Sequence, residues 1–367
     1  MLNEKISMSN KIPVAIIGAT GAVGQRFIQL LTNHPTFEIV GLGASDRSEG
    51  KRYVDAAHWI LDTEIPIKVR NTVLIGSNAE AMSKLPTPPR FMFSALPNDL
   101  ARDIEPAFAQ AGMVVFSNAS YYRMGQDIPL VIPEVNWQHL NLIKAQREQR
   151  GWSGGIVCNT NCTVSGPAMS LRPLHEAFGI QRVFTVSMQA ISGAGYPGVP
   201  SLDIYDNVVP FIKNEEEKVE QEAQKLLGKL GASSIEAATF PVSAHCNRVA
   251  VIDGHIVTMS VELATKATAE DAARVMRDFR CTMTAGLPMA PEQPIIVRDE
   301  PDRPQPRKDR LSGAGRAAGM PTVVGRVRPE PLFGDYGVKF ITLAHNTIRG
   351  AAGGSILNAE VFVKMGL

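Results

Sequence analysis

The chain has 367 residues, 44% of them hydrophobic and 20% charged, with 37 Lys and Arg against 36 Asp and Glu. This length predicts two domains, and the near-zero net charge argues against a nucleic-acid partner. Because no apolar run approaches the roughly 18 residues of a membrane span, and because the polar N-terminus MLNEKISMSNK lacks the apolar stretch of a signal peptide, we expect a cytoplasmic protein without a membrane partner.

Strand-like and helical patterns alternate through the first part of the chain. The strand-like runs are KIPVAIIGA, FEIVGLGAS, RFMFSAL and GMVVFS, and helical patterns such as AVGQRFIQLLTNH and DLARDIEPAFAQA stand between them. This alternation is typical of βαβ units and a parallel sheet. We therefore predict a dinucleotide-binding α/β domain over residues 1–160.

A glycine-rich turn follows the first strand and opens the first helix, in the segment GATGAVG. Glycines at this point let backbone N–H groups approach a pyrophosphate, and the positive end of the helix dipole attracts the same group. The alternative is a tight turn that only packs strand on helix. We predict cofactor contacts from Gly18, Thr20, Gly21, Ala22, Val23 and Gly24.

The second strand ends in the tetrapeptide Ser45-Asp46-Arg47-Ser48. An NAD site is expected to place an acidic residue here, about 20 positions after the glycine turn, to hold the ribose hydroxyls. Serines and a guanidinium suit the 2′-phosphate of NADP instead. We predict NADP, held by Ser45, Arg47 and Ser48; the alternative is that Asp46 binds the ribose.

The four cysteines, Cys158, Cys162, Cys246 and Cys281, are too few and too scattered for a disulfide framework. Cys158 lies inside an apolar run, and no second ligand pair accompanies it, so we predict no metal site. Cys162 stands where that run gives way to a helical pattern. A thiol at a helix N-terminus is favoured as the thiolate, which predicts a nucleophile; the alternative is a packed helix-start residue.

The pattern changes after Cys162. A helical stretch, TVSGPAMSLRPLHEAFG, leads into the β-rich run QRVFTVSMQAIS, and few helices follow it. This change indicates a mixed α/β domain over residues 161–344. The segment Pro291–Pro321 is predicted to be a long surface excursion, and residues 345–367 a helix that returns to the first domain. Further strand-like runs occur at 248–251, 257–263, 323–327 and 338–343.

Seven segments in chain order resemble the aspartate-β-semialdehyde dehydrogenases, particularly the branch found in fungi and archaea: GATGAVGQRF, SALP, SNASYYRM, NTNCTV, MQAISGAGYPG, CNRVAVIDGH and NTIRGAAGG. The resemblance implies a Rossmann-type NADP-binding domain and a mixed α/β catalytic and dimerisation domain of the glyceraldehyde-3-phosphate dehydrogenase-like type, in a homodimer or homotetramer. It also implies NADPH-dependent reductive dephosphorylation of L-aspartyl 4-phosphate to L-aspartate 4-semialdehyde through a cysteine thioester, in lysine, methionine and threonine biosynthesis.

The resemblance assigns the catalytic roles residue by residue. Cys162 matches the nucleophile, and Gln189 matches the glutamine that orients the acyl group. Arg248 matches the arginine that holds the substrate's α-carboxylate, and His255 matches the acid/base histidine, which could accept the thiol proton. His245 is the competing histidine and ranks second, because the family pattern places the histidine after a glycine.

Further roles follow for phosphate, amino-group and nicotinamide contacts. Arg123, Lys218 and Asn161 match the phosphate-binding positions, and Glu215 matches the acid that grips the amino group. Glu215 and Lys218 are three apart and share a helix face, although adjacent glutamates leave this register open. The implied nicotinamide contacts are Ser94, Ser192, Gly193 and Asn346.

Three other functions remain open from the sequence. A malonyl-CoA reductase uses the same thioester chemistry but needs basic residues for the CoA nucleotide. An N-acetyl-glutamyl-phosphate reductase matches the segments poorly. A catalytically silent NADP-binding regulator would need neither a nucleophile nor its acid/base partner. The loop around GAGRAAG departs from the family pattern, and we expect it to affect subunit contacts.

Overall fold

A parallel sheet of seven strands occupies the first half of the chain in the computed structural model, which describes residues 11–367. The predicted absence of a signal peptide concerns residues 1–10, which lie outside the described residues. The sheet order is β3-β2-β1-β4-β5-β7-β6. Its strands are β1 (Ile12–Ile17), β2 (Phe37–Ala44), β3 (Ile75–Gly76), β4 (Phe91–Ser94), β5 (Val114–Ser117), β6 (Leu130–Val131) and β7 (Gly155–Asn159).

Helices cover both faces of this sheet because β1, β4, β5 and β7 carry apolar side chains on both faces. The strand order reverses direction between β1 and β4, which opens a crevice at the carboxyl ends of these strands. The helices are α1 (Ala22–Leu31), α2 (Tyr53–Ala56), α3 (Ile67–Arg70), α4 (Ala79–Ser83), α5 (Asn98–Gln110), α6 (Pro133–Asn136) and α7 (Leu142–Arg150), with a 3₁₀ turn at Trp137–Asn141.

A mixed six-stranded sheet follows, in the order β11-β8-β12-β15-β14-β13. Antiparallel pairing joins β8, β12, β15 and β14, while each edge strand is parallel to its neighbour. The strands of this sheet are β8 (Ile180–Gln189), β11 (Val242–Arg248), β12 (His255–Leu263), β13 (Ile295–Arg298), β14 (Thr322–Pro329) and β15 (Gly337–Ala344); β9 (Lys229–Leu230) and β10 (Ile235–Glu236) form a separate hairpin.

The second sheet is packed on one face by two long helices and at its β11 edge by a third. Alternating burial along β12 shows that its other face is more exposed. The remaining helices are α8 (Ser165–Phe178), α9 (Ser201–Ile204), α10 (Glu215–Leu226), α11 (Ala269–Asp278), α12 (Pro306–Asp309) and α13 (Gly353–Lys364); 3₁₀ turns occupy Ile191–Ala194, Gly315–Ala317 and Pro331–Tyr336, and a π-type segment occupies Ile348–Ala352.

The C-terminal helix α13 packs against β4, β5 and β7 of the first sheet. Its Phe362 meets Phe91 and Phe116 edge to face, with ring centroids 5.8 Å apart in both pairs. Within residues 11–367, no helix combines the length and apolar character that a bilayer crossing requires. We propose that the domains span residues 1–160 and 161–344, with residues 345–367 returning to the first domain.

Two sequence-based predictions about the second half are wrong. The predicted strand at 248–251 begins where the strand ends, because β11 spans Val242–Arg248 and the next residues form a turn. The stretch Pro291–Pro321 is no loose excursion: β13 pairs with β14, and the buried Asp309 binds Arg303 through paired hydrogen bonds. A half-exposed strand and a buried ion pair both carry polar residues, which composition alone assigns to loops.

The loop containing GAGRAAG contacts the first domain of its own chain, and its effect on subunit contacts remains a prediction. Arg316 donates from Nη1 to the carbonyl of Leu30 and from Nη2 to that of Asn33, the latter at 2.9 Å. These carbonyls lie at the C-terminal end of α1, where a cation stabilises the helix. The loop thus joins the two domains of one chain.

Candidate active site

Cys162 and His255 meet between the two sheets. Cys162 lies in the turn between β7 and α8, and His255 is the first residue of β12. The Sγ of Cys162 and the Nε2 of His255 are 3.3 Å apart, within hydrogen-bond distance for sulfur. The competing His245 is exposed and packs against Phe184, with ring centroids 5.7 Å apart. The geometry therefore favours His255.

The backbone fixes the tautomer of His255. The amide N–H of Ala190 donates to Nδ1 at 3.0 Å, so Nδ1 is an acceptor and the neutral ring carries its proton on Nε2. Burial, followed by the charge of Arg248, lowers the pKa of His255 to about 3. The unliganded ring is therefore neutral and directs an N–H toward Cys162. The predicted acid/base role of His255 remains a prediction.

The surroundings of Cys162 in the unliganded site shift its thiol pKa in the direction opposite to that expected for a helix N-terminus. Burial, followed by the nearby Glu215 carboxylate, raises the pKa of Cys162 to about 12. Arg123 and Arg248 act in the opposite direction but do not offset these effects. The helix α8 begins only at Ser165, so the thiol lies outside the first turn, where the dipole is strongest.

Two glycines allow close approach to this pair. A Cβ on Gly350 would lie 2.8 Å from both Cα and Cβ of Cys162, so the π-type segment packs directly against the cysteine turn. A Cβ on Gly193 would lie 2.9 Å from Nη1 of Arg248 and 3.2 Å from Nε2 of His255. Side chains at these positions would displace the reacting groups.

The predicted substrate residues on α10 face the cysteine turn. Glu215 is buried and accepts hydrogen bonds from Nδ2 of Asn161 and Oγ1 of Thr163, both at 3.0 Å. Lys218 lies one turn along the same helix, with its Nζ 3.7 Å from Glu215. Asn161 also accepts the N–H of Thr163 at 2.7 Å. The structure thus brings these predicted residues together.

Arg248 and Arg123 lie near Cys162 in buried positions. Arg248 donates from Nη1 to the carbonyl of Ala190 at 2.8 Å, beneath Gly193. Arg123 donates to Oε1 of Glu222 at 2.9 Å and to the carbonyl of Asn118 at 2.7 Å. Each arginine retains N–H groups beyond these bonds, because a guanidinium has five.

Gln189 is buried at the end of β8, where its Nε2 donates to Oγ of Ser187 at 3.1 Å. This bond follows the strand, because residues two apart share a face. No hydrogen bond joins Gln189 to Cys162 within the described chain, so its contact with an acyl group remains a prediction.

The glycine turn has the geometry that a dinucleotide requires. Gly18 has φ +74°, and a Cβ there would lie 2.7 Å from the carbonyl oxygen of Ala95. A Cβ on Gly24 would lie 2.2 Å from the carbonyl oxygen of Gly18. The exposed Gly21 caps α1 without a side-chain hydrogen bond, which leaves the helix N–H groups free for a pyrophosphate.

The Ser45–Ser48 turn follows β2 directly, and the side chains of Ser45 and Arg47 are exposed. Arg47 has no side-chain partner among residues 11–367, and Asp46 is exposed beside it. The exposed serine and guanidinium therefore fit the additional phosphate of NADP. Ala22 and Ser192 line a cavity of about 810 Å³ beside α1, whose lining includes none of residues 45–48.

The four residues predicted to contact nicotinamide lie in different environments. Gly193 lies against Arg248 and His255. Asn346 binds Oγ of Ser192 at 2.7 Å and accepts the N–H of Gly254 at 2.8 Å, so it ties two active-site turns together. Ser94 is fully buried on the side of Glu105. The contact of Ser94 with nicotinamide remains a prediction.

Comparisons with known proteins identify the family of both domains. The family model for the semialdehyde dehydrogenase NAD binding domain matches residues 13–143, and that for the semialdehyde dehydrogenase dimerisation domain matches residues 171–349. An aspartate-semialdehyde dehydrogenase of Archaeoglobus fulgidus is 51% identical over 351 residues, which cover 96% of this chain and 98% of the relative.

The chain belongs to the aspartate-semialdehyde dehydrogenase family. A solved family structure with NADP, from Candida albicans, is 41% identical, has a TM-score of 0.86, and is matched over 96% of this chain and 98% of its own. A second, aspartate semialdehyde dehydrogenase II of Vibrio cholerae complexed with ASA, is 26% identical with a TM-score of 0.73, over 97% and 99% of the two chains. The predicted family, two-domain α/β fold and NADP cofactor are confirmed.

Two residues that the sequence did not single out make contacts at this site. Glu222 binds Arg123 and the cysteine turn, and Asn159 donates to the carbonyls of Gly350 and Ala351, each at 3.2 Å. Charged residues on a helix usually indicate a solvated face, and a backbone contact leaves no sequence signal. The helical spacing of Glu215 and Glu222 was the one available indication.

Proposed function

We propose that the chain interconverts L-aspartate 4-semialdehyde and L-aspartyl 4-phosphate through a thioester on Cys162, with NADP as cofactor and phosphate as co-substrate. The observation that carries this proposal is the 3.3 Å approach of Cys162 and His255, with Arg123, Glu215 and Arg248 close to the thiol. These charges suit a small substrate with a carboxylate, an ammonium and a phosphate.

The substrate groups divide among these charges. Arg248 binds the α-carboxylate through its free N–H groups, and Glu215 binds the ammonium. Arg123 and Lys218 bind the phosphate, with Asn161 beside them. Gln189 orients the acyl group once it is attached to sulfur. The Vibrio cholerae relative complexed with ASA supports this substrate class.

The first chemical step is addition of the Cys162 thiol to the aldehyde. A bond forms between Sγ and the carbonyl carbon, and the thiol proton balances the charge on the carbonyl oxygen. His255 donates its Nε2–H toward sulfur and this oxygen, which stabilises the developing charge. Loss of a hydride, and of the hydroxyl proton to solvent water, then leaves a thioester on Cys162.

Phosphate completes the reaction. A phosphate oxygen bonds to the acyl carbon, the S–C bond breaks, and the departing sulfur takes up the proton released by phosphate. The same steps in reverse give reductive dephosphorylation of the acyl phosphate. When bound, NADP accepts the hydride, and NADPH supplies it in reverse. The glycine turn at 18–24 would hold the pyrophosphate, and Ser45, Arg47 and Ser48 would hold the 2′-phosphate.

We also propose that the protein forms a homodimer through its second domain. Large apolar side chains are exposed on residues 196–211, including Leu202 and Tyr205, and Phe184 is exposed on β8. Exposed apolar groups in this number mark an association surface. Sedimentation equilibrium distinguishes a dimer from a tetramer, which needs a second interface.

A cytoplasmic location stays a prediction.

Trapping the covalent intermediate tests the proposed chemistry. Intact protein, incubated with the semialdehyde and NADP but without phosphate, should gain the mass of an aspartyl group at Cys162. The adduct should disappear on addition of phosphate, and Cys162→Ala should never form it. Malonyl-CoA with NADPH serves as the parallel substrate. A malonyl adduct alone, without an aspartyl adduct, would overturn the substrate assignment and support a malonyl-CoA reductase.

A further inference from the structure

One face of α10 carries four charged residues at helical spacing: Glu215, Lys218, Glu222 and Lys225. The proposed function uses only the first two. Glu222 and Lys225 are nevertheless buried, and a charged residue is rarely buried unless it is paired. Their contacts explain the burial.

Glu222 joins two loops of the active site. Its Oε1 accepts a hydrogen bond from Nη1 of Arg123 at 2.9 Å. Its Oε2 accepts from Oγ1 of Thr160 at 2.9 Å and from the N–H of Asn161 at 2.6 Å. Asn161 immediately precedes Cys162. One carboxylate therefore holds both the proposed phosphate arginine and the turn that carries the nucleophile.

Lys225 secures the same loop from its other side. Its Nζ donates to the carbonyls of Arg123 at 2.6 Å, Gly125 at 2.7 Å and Ile128 at 2.9 Å. All three ammonium hydrogens are thus used on residues 123–128. The backbone of Arg123 is fixed by Lys225 and its guanidinium by Glu222.

Arg123 is consequently held with little freedom. Nη1 donates to Glu222 and Nη2 to the carbonyl of Asn118, so each terminal nitrogen has one further hydrogen for a ligand. Its Nε is buried without a partner among residues 11–367. A guanidinium desolvated in this way needs the counter-charge of Glu222.

We propose that Glu222 is a positioning residue that fixes Arg123 relative to Cys162, so that phosphate is held beside the acyl carbon. This inference rests on the proposed function, because it requires Arg123 to bind phosphate. Glu222 does not touch the substrate itself; its effect is exerted through Arg123.

The variant Glu222→Gln breaks this arrangement in either amide orientation. All partners of Glu222 are donors, whereas an amide has one acceptor oxygen and one NH₂ group. If the oxygen faces Thr160 and Asn161, the NH₂ group opposes Arg123. If the oxygen faces Arg123, the NH₂ group opposes the Asn161 N–H. Glutamine has the size and shape of glutamate, so the variant should change only the placement of Arg123 and of the cysteine turn.

The experiment compares Glu222→Gln with Glu217→Gln, which removes the same charge from an exposed position of the same helix. We expect Glu222→Gln to raise the KM for phosphate about 10-fold or more, the cost of losing one charged hydrogen bond. The Kd for NADP should stay within about twofold, since the glycine turn makes no use of Glu222. Glu217→Gln should match wild type throughout.

A variant cycle identifies the route of the effect. Arg123→Lys keeps the charge but loses the fork, and it should also raise the phosphate KM. If Glu222 acts through Arg123, adding Glu222→Gln to Arg123→Lys should raise the phosphate KM by less than the product of the two single effects. Fully multiplicative effects would contradict the proposal. Should Glu222→Gln fail to fold, Glu222→Asp replaces it, with a smaller increase in the same constant.

A second readout does not require turnover. Inorganic phosphate should slow alkylation of Cys162 by iodoacetamide in wild type, and Glu222→Gln should need about 10-fold more phosphate for the same protection. An inactive wild type that phosphate still protects would sink the proposed function but not the role of Glu222. An unchanged phosphate KM in Glu222→Gln, absence of phosphate protection in wild type, or an equal loss of NADP affinity would overturn that role.

Discussion

The Nε2 of His255 lies 3.3 Å from the Sγ of Cys162, yet neither group is charged at neutral pH in the unliganded site, because burial lowers the pKa of His255 to about 3 and raises that of Cys162 to about 12. The Ala190 amide keeps Nδ1 as an acceptor. The pair therefore differs from the thiolate–imidazolium pairs found in many cysteine enzymes.

This charge state predicts the pH dependence of Cys162 reactivity. A raised thiol pKa makes the thiolate fraction small at pH 7, and this fraction should grow about tenfold for each pH unit. Iodoacetamide alkylation of Cys162, followed by peptide mass spectrometry, should therefore rise steadily between about pH 6 and pH 10. A plateau already reached near neutral pH would instead reveal a stable thiolate and contradict the neutral pair.

The lack of a side chain at Gly193 should be required for turnover. In Gly193→Ala, the added methyl group would lie 2.9 Å from Nη1 of Arg248 and 3.2 Å from Nε2 of His255. Displacement of reacting groups by a fraction of an ångström should lower kcat/KM for the semialdehyde by about 100-fold. Steady-state kinetics measures this loss, and an unchanged thermal midpoint serves as the folding control. Near-wild-type kinetics would mean that Gly193 lies outside the reacting cluster.

Arg47 should determine the preference for NADP. Reversing its charge in Arg47→Glu places a carboxylate next to the proposed 2′-phosphate, so the Kd for NADP should rise by about 10-fold or more while that for NAD changes little. Fluorescence titration with NADPH and NADH measures both constants. Arg70→Glu is the control, because Arg70 is also exposed in the first domain. An equal rise in the Kd values for NADP and NAD would mean that Arg47 attracts both cofactors by its charge and does not contact the 2′-phosphate.

The buried ion pair of Glu134 and Arg349 should stabilise the fold. Arg349 donates two hydrogen bonds to the carboxylate, each 2.8 Å long, immediately before Gly350. Removing the acid in Glu134→Gln leaves a buried guanidinium without its counter-charge, which should lower the free energy of unfolding by about 3–5 kcal/mol. Urea unfolding measures this change. A loss below about 1 kcal/mol would contradict the importance of the pair.

Periodicity and motif order were sufficient for the first domain. The strands β1, β2, β4 and β5 lie where buried apolar runs predicted them, because parallel strands covered on both faces are continuously apolar. The second sheet was harder to predict. β11 contains Ser243, His245 and Asn247 and exposes one face, so hydrophobicity favoured the residues that follow it.

The sequence predicted which residues form the candidate site better than it predicted their protonation states. The resemblance brought Cys162, His255, Arg248 and Glu215 forward, and the fold places them together. The protonation states depend on burial and on a backbone N–H at Ala190, which residue types do not encode. The same reason hid Gly350 and Glu222, whose contacts arise only when distant segments pack.

Initial rates with purified protein test the central claim most directly: L-aspartate 4-semialdehyde is supplied with NADP or NAD, with and without inorganic phosphate. The account predicts phosphate-dependent formation of NADPH, faster than formation of NADH, and loss of both in Cys162→Ala. No reduction of NADP in the presence of phosphate, or an equal rate in Cys162→Ala, would contradict it.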